Sequence, residues 1–121
     1  MNVGDSVETS RAFSSQDVAD YVALGGAPMP AGELPEPLIG GLFSYLLGVK
    51  LPGLGTNYLK QETEYRHPAL VGEALTARVT ITRLRPEKHL VDLETQCTGG
   101  DGRVVATGRA LVYVEDVIGP R

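Results

Sequence analysis

Leu38-Ile39-Gly40-Gly41-Leu42-Phe43-Ser44-Tyr45-Leu46-Leu47 is the stretch that decides how this chain folds. Its apolar residues fall on every helical face, which means burial all round rather than a single stripe lying on a surface. It has only about half of the roughly 20 residues that a membrane span needs. The run therefore reads as a short central helix wrapped by sheet, with Gly40-Gly41 at its head and Gly48 after it.

Upstream, Ala27 to Pro37 (APMPAGELPEP) is dense in Pro and Gly and reads as an irregular connector. Before it lies a helix-start signal. Ser14 is a good N-cap, Asp17 stands where a capping-box acid belongs, and Phe13 can meet Val18 as a hydrophobic staple. This predicts a first helix from about Ser15 to Leu24, with Val18, Tyr21 and Val22 facing inward and Gly25-Gly26 as the stop. Val3 to Phe13 reads as an extended segment.

Downstream, Leu51-Pro52-Gly53-Leu54-Gly55 is a turn-rich link, and the remainder reads as strands. Thr56 to His67 is one, with Tyr58, Leu59 and Tyr65 as its apolar residues. Leu75 to Leu84 alternates, placing Leu75, Ala77, Val79 and Ile81 on one face. Pro86-Glu87-Lys88 makes a turn before a strand from His89 to Cys97, and Gly99-Gly100-Asp101-Gly102 marks a hairpin loop. The final strand shows the clearest period of two: Val104, Ala106, Gly108, Ala110, Val112 and Val114. The expected fold class is α+β: one domain over residues 1–121, with an antiparallel meander from Thr56 onward wrapped around the central helix.

Composition agrees with a single globular domain. The chain has 121 residues, 42% hydrophobic and 21% charged. A net charge of −4 argues against nucleic-acid binding, where a basic face is the first sign. The single Cys97 cannot form an internal disulfide, and the first residues lack a signal-peptide plan. No membrane partner is expected, and the expected location is cytoplasmic. His67, His89 and Cys97 show no metal-ligand spacing, so no metal is expected.

Four segments in order resemble the MaoC-like (R)-specific enoyl-CoA hydratases. Phe13-Ser14-Ser15-Gln16-Asp17-Val18 is similar to the start of that family's first helix, and Tyr21 to Gly25 (YVALG) to its end. Leu46 to Gln61 (LLGVKLPGLGTNYLKQ) resembles the end of the family's central helix, its turn and the next strand. Pro68 to Ala77 (PALVGEALTA) resembles the turn and strand beyond. The resemblance implies a hotdog fold, in which an antiparallel sheet wraps a central helix, and a dimer with acyl-thioester sites at its interface.

The chemistry departs from the family. There, the loop after the first helix carries an Asp, then Asn-Pro, then a His, and these two activate the water added to the enoyl double bond. Here that region reads Gly25-Gly26-Ala27-Pro28-Met29-Pro30-Ala31, and no His occurs before position 67. The family's central helix opens with His-Gly, and aligning Pro37-Leu38-Ile39-Gly40-Gly41 there puts Gly40 at the His position. The resemblance therefore implies a protein that binds acyl-CoA or a related acyl thioester but lacks hydration by that dyad, and negligible hydration of short enoyl-CoA is expected. Its partner would be a second copy, or a catalytic paralogue in a heteromer. An active hydratase, dehydratase or thioesterase using substitute residues is one alternative, and a non-catalytic or structural domain is another.

Several residues are candidates for a site. Glu33 and Glu36 are the only carboxylates of the connector and could serve as a general base, or be solvated acids suited to the helix dipole. Gly40 and Gly41 would let a thioester carbonyl reach free N–H groups at a helix start, or simply allow close packing. Asn57, Tyr58 and Gln61 could line an acyl channel, with ordinary strand packing the rival reading. Lys50 and Lys60 could meet the phosphates of coenzyme A, which would be part of the ligand rather than a separate cofactor. His67 and His89 read as turn or surface histidines, and Cys97 as a small buried hydrophobe.

Overall fold

The apolar run does form the central helix, but the helix starts earlier than its hydrophobic pattern predicts, and it is buried on one face rather than all round, with Gly41, Ser44 and Tyr45 exposed. In the computed structural model α2 spans Glu36–Tyr45 and then widens into a π-helical segment, Leu46–Lys50. Pro37 is thus inside the first turn rather than in the connector. A proline costs nothing there, because its missing N–H would have no helical partner anyway. The model describes residues 1–53 and 55–115; Leu54 of the turn-rich link and residues 116–121 of the expected domain lie outside the described residues.

Ahead of α2 come β1 (Ser6–Arg11) and α1 (Ser15–Ala23). The cap of α1 is the one expected: Asp17 N–H donates to Ser14 Oγ at 3.1 Å and Ser14 N–H donates to Asp17 Oδ2 at 2.7 Å. These bonds, with the Arg11 charge behind them, hold the Asp17 carboxyl below its ordinary range. At the other end Gly26 N–H reaches Tyr21 O and Gly25 N–H reaches Val22 O, both at 3.0 Å, with Gly25 at φ +104°. This paired closure ends the helix at the expected glycines. Its inward face is weaker than expected. Val18 packs against the core, but α1 has no buried residue and Val22 is exposed.

The strands are β2 (Thr56–Tyr65), β3 (Leu75–Arg85), β4 (Leu90–Thr98) and β5 (Val104–Val114), with a 3-10 turn at Pro86–Lys88. They form one antiparallel five-stranded sheet with β1, in the order β1-β3-β4-β5-β2. The expected meander therefore holds only for β3, β4 and β5. β2 lies at the far edge beside β5, because the chain after it crosses the sheet before β3 begins. Arg66 N–H still bonds Val105 O on β5, whereas Gly72 N–H bonds Phe13 O just after β1, both at 2.8 Å.

The inner face of the sheet carries Leu75, Ala77, Val79 and Ile81 from β3, as their alternation predicted, and Val91, Leu93, Thr95 and Cys97 from β4. Phe43, Leu46 and Leu47 of the central helix are fully buried against it. The edge strand comes close to its neighbour: a side chain at Gly108 on β5 would run into the Glu62 carbonyl of β2. No helix of the described residues is long and apolar enough to cross a membrane.

Phe43→Ala should cost about 3–5 kcal/mol of unfolding free energy, the range for emptying a fully buried aromatic site, read from urea denaturation. Burial, reinforced by the Glu73 charge, pushes the Cys97 thiol up to about 11. At pH 8 only about one thiol in a thousand is then thiolate, so an alkylating reagent should label Cys97 in urea and leave the folded protein unlabelled.

Candidate functional site

Two prolines shape the start of α2. Pro35 is the N-cap, at φ −61° and ψ 135°, and Pro37 sits in the first turn. Neither has an N–H, and Leu38 N–H already donates to Pro35 O at 3.1 Å. The Glu36 amide is thus the main-chain donor left without a helical partner at this end. This corrects the expectation for Gly40-Gly41. They lie in the second turn, where amides are spent on the helical ladder, so they do not offer free donors. The helix opening is Pro35-Glu36.

The connector before α2 is pinned rather than loose. Leu34 N–H donates to Ala69 O at 2.8 Å, Val71 N–H donates to Gly32 O at 2.9 Å, and Glu33 forms an isolated antiparallel bridge with Leu70. These contacts lay the connector along the segment that leaves β2. They bring Glu33 and Glu36 to the end of that strand.

There a cavity of about 200 Å³ is bordered by Glu33, Glu36, Tyr65 and His67, with Leu34 and Ile39 among its apolar walls. Tyr65 Oη donates to the Glu36 carbonyl at 3.3 Å. Burial, and then the Glu36 charge, raises the Tyr65 phenol above its ordinary value, so it stays a neutral donor at physiological pH. His67 is held by its ring, with Nδ1 at 2.8 Å from Val104 O, and by its backbone N–H, which donates to Val105 O at 3.4 Å. His67 is exposed at a bend just beyond β2, as the sequence reading has it, whereas Tyr65, read only as an apolar strand residue, turns its hydroxyl to the start of α2.

The two glycines look in different directions. A side chain at Gly40 would point toward Tyr65, 3.9 Å from Oη, whereas Gly41 opens onto a second cavity of about 430 Å³. Arg11, Phe13, Pro37, Leu38 and Tyr45 border this second space, with the Arg11 guanidinium 4.4 Å from the Phe13 ring centroid. Asn57, Tyr58 and Gln61 border neither cavity. They stand exposed on the edge strand β2, paired with Tyr113, Val112 and Ala110 of β5. Burial raises the Tyr58 phenol, against the pull of the Ser44 hydroxyl. Lys60 is engaged by Glu62 at 3.0 Å, while Lys50 is exposed at the end of the π-helical segment. Among the described residues no group of three or more His, Cys, Asp or Glu is placed to hold a metal ion.

No family model matches the chain. An (R)-specific enoyl-CoA hydratase of Aeromonas caviae is 34% identical, aligned over 93% of this chain and 94% of its own length. One from Rhodospirillum rubrum is 43% identical over 64% of this chain and 53% of that protein. A solved structure of the A. caviae (R)-hydratase involved in PHA biosynthesis superposes with a TM-score of 0.89 at 31% identity, covering 94% of this chain and 97% of the other. Identity of this size over nearly the whole of both chains, on one helix held by one curved antiparallel sheet, places the chain in the hotdog-fold (R)-specific enoyl-CoA hydratase family.

Proposed function

We propose that this chain binds an acyl-CoA or a related acyl thioester at the start of α2, without the family's Asp and His dyad. The observation that carries the reading is the cavity of about 200 Å³ where Glu33, Glu36, Tyr65 and His67 meet the apolar side chains of Leu34 and Ile39. A pocket that sets an apolar wall against several polar groups suits a ligand that is greasy at one end and polar at its reactive carbonyl. The Glu36 amide is the main-chain donor available to that carbonyl, and the Tyr65 hydroxyl, spent on the Glu36 carbonyl, fixes the wall beside it. Gly40 leaves the approach past Tyr65 open. Coenzyme A enters this reading as part of the ligand, and a cytoplasmic location is consistent with it.

The same reading includes a homodimer. β2 is an edge strand with pairing on one side only, and Tyr58 and Leu59 on it are exposed, as are Tyr45 and Val49 on the central helix and its π-helical end. An open edge beside exposed apolar residues is a ready template for a second copy. Across a two-fold axis, Asn57, Tyr58 and Gln61 of one copy would reach the ligand bound by the other.

Titration calorimetry with butyryl-CoA should give saturable binding. Gly40→Leu should weaken it at least about tenfold, or about 1.4 kcal/mol, while Gly41→Leu leaves it intact. The reverse result would move the ligand to the larger cavity, and no binding by the unmodified protein would favour a structural domain. Sedimentation at tens of micromolar should give a particle of about twice the 12.9 kDa chain mass, and Leu59→Glu should shift it to monomer. A monomer before substitution would favour assembly with a different, paralogous chain.

A further inference from the structure

One wall of the cavity at the start of α2 is tied, through Arg103, to the hairpin between β4 and β5. The chain between β2 and β3 carries Pro68 and Ala69, and both border the cavity. This segment packs thinly: of residues 68–73 only Ala69 is buried, and Leu70 is 47% exposed. Yet the connector hangs on it, through Leu34 N–H to Ala69 O, Val71 N–H to Gly32 O and the bridge between Glu33 and Leu70. Whatever fixes residues 68–73 therefore fixes Glu33 and Leu34 at the cavity.

Arg103 supplies that hold. Its Nη2 donates to Glu73 Oε1 and Oε2 at 2.9 and 2.8 Å, and to Pro68 O at 3.3 Å. Glu73 Oε1 in turn accepts the Leu70 N–H at 3.1 Å. The hairpin fixes the arginine: Asp101 accepts from its Nη1 and its main-chain N–H at 2.8 and 2.9 Å, and Gly99 N–H donates to Arg103 O at 2.8 Å. Gly99 also leaves room for the carboxylate, since a side-chain carbon there would stand 2.5 Å from Glu73 Oε2. The Glu73 side chain is only 14% exposed, the least of any acid in an ion pair among the described residues. Removing one partner of such a pair strands the other charge away from water. The least costly relief is for the segment to lift until water reaches Glu73, carrying Ala69 and the connector with it.

We propose that Arg103 and Glu73 are positioning residues for the acyl-thioester site, clamping the 68–73 segment so that the connector presents Glu33 and Leu34 to the cavity. This rests on the thioester-binding reading above. Neither Arg103 nor Glu73 borders the cavity, so the pair acts on the ligand only through Pro68, Ala69 and the connector.

The test is calorimetric affinity for butyryl-CoA, read beside urea unfolding and amide hydrogen exchange. Arg103→Gln should weaken butyryl-CoA binding at least about tenfold. In the ligand-free protein it should also speed exchange at the Leu34 and Val71 amides, whose bonds dock the connector. Glu73→Gln is milder, because its amide oxygen can keep the Leu70 N–H, and it serves if Arg103→Gln does not fold. Since the two residues act as one pair, the double variant should bind within about threefold of the weaker single variant. Val91→Ala on β4 is the stability control: it empties a buried site that does not border the cavity. It should lower the urea midpoint and leave butyryl-CoA affinity unchanged. Unchanged affinity in the folded clamp variants, or an equal loss in Val91→Ala, would overturn the inference and leave the binding reading standing. Losses that add in the double variant would overturn it as well. Absence of binding by the unmodified protein would overturn both.

Discussion

Burial of the central helix is the constraint on which the rest of this structure depends. Ile39, Leu42, Phe43, Leu46 and Leu47 make one whole face of that helix unfit for water, so the helix is stable only with that face covered by the sheet. The sheet meets that demand with three consecutive strands whose inner residues are apolar except for the buried Thr95, and β1 and β2 extend it on either side. The helix in turn sets where the reactive end of the molecule lies. Its first turn is the one place where main chain, connector and the end of β2 converge beside open space.

That convergence lets one short loop decide which side chains face the cavity while the fold stays that of the family. The connector 27–35 carries neither Asp nor His, and it is held by main-chain bonds to Ala69 and from Val71. A short, proline-rich segment loses little conformational entropy when pinned, so the fold does not need a longer loop there. The chemistry, by contrast, depends wholly on which side chains the pinned segment presents. Glu33 and Glu36 are what it presents here.

Much of the fold was legible because its signals are local. The Ser14–Asp17 capping box, the Gly25-Gly26 stop and the alternation of β3 and β5 are each set by residues within a few positions of one another. The order of strands was not legible, because whether β2 pairs with β3 or β5 depends on where the chain travels between Arg66 and Ala74, and no local pattern records a path. The helix start was misjudged for a related reason. Hydrophobicity begins at Leu38, but the helical backbone begins at Glu36, where the first turn needs no apolar side chain. The site suffered most: Glu33 and Glu36 were visible as lone acids, whereas their meeting with Tyr65 and His67 comes from long-range pairing of the connector with the segment after β2.

The bulge between Tyr58 and Lys60 has a consequence for how this protein behaves when crowded. A long, flat edge strand with apolar side chains is the usual seed of open-ended fibrils, since each added strand presents the same edge again. β2 is interrupted at Leu59, and Lys60, Glu62 and Glu64 follow at alternate positions, so a stack of identical copies would meet a broken ladder and rows of like charge. A two-fold arrangement avoids this, because antiparallel copies offset their bulges and consume both edges at once. The irregularity thus acts as a filter, permitting a closed pair and penalising the unlimited assembly that the same backbone would otherwise nucleate.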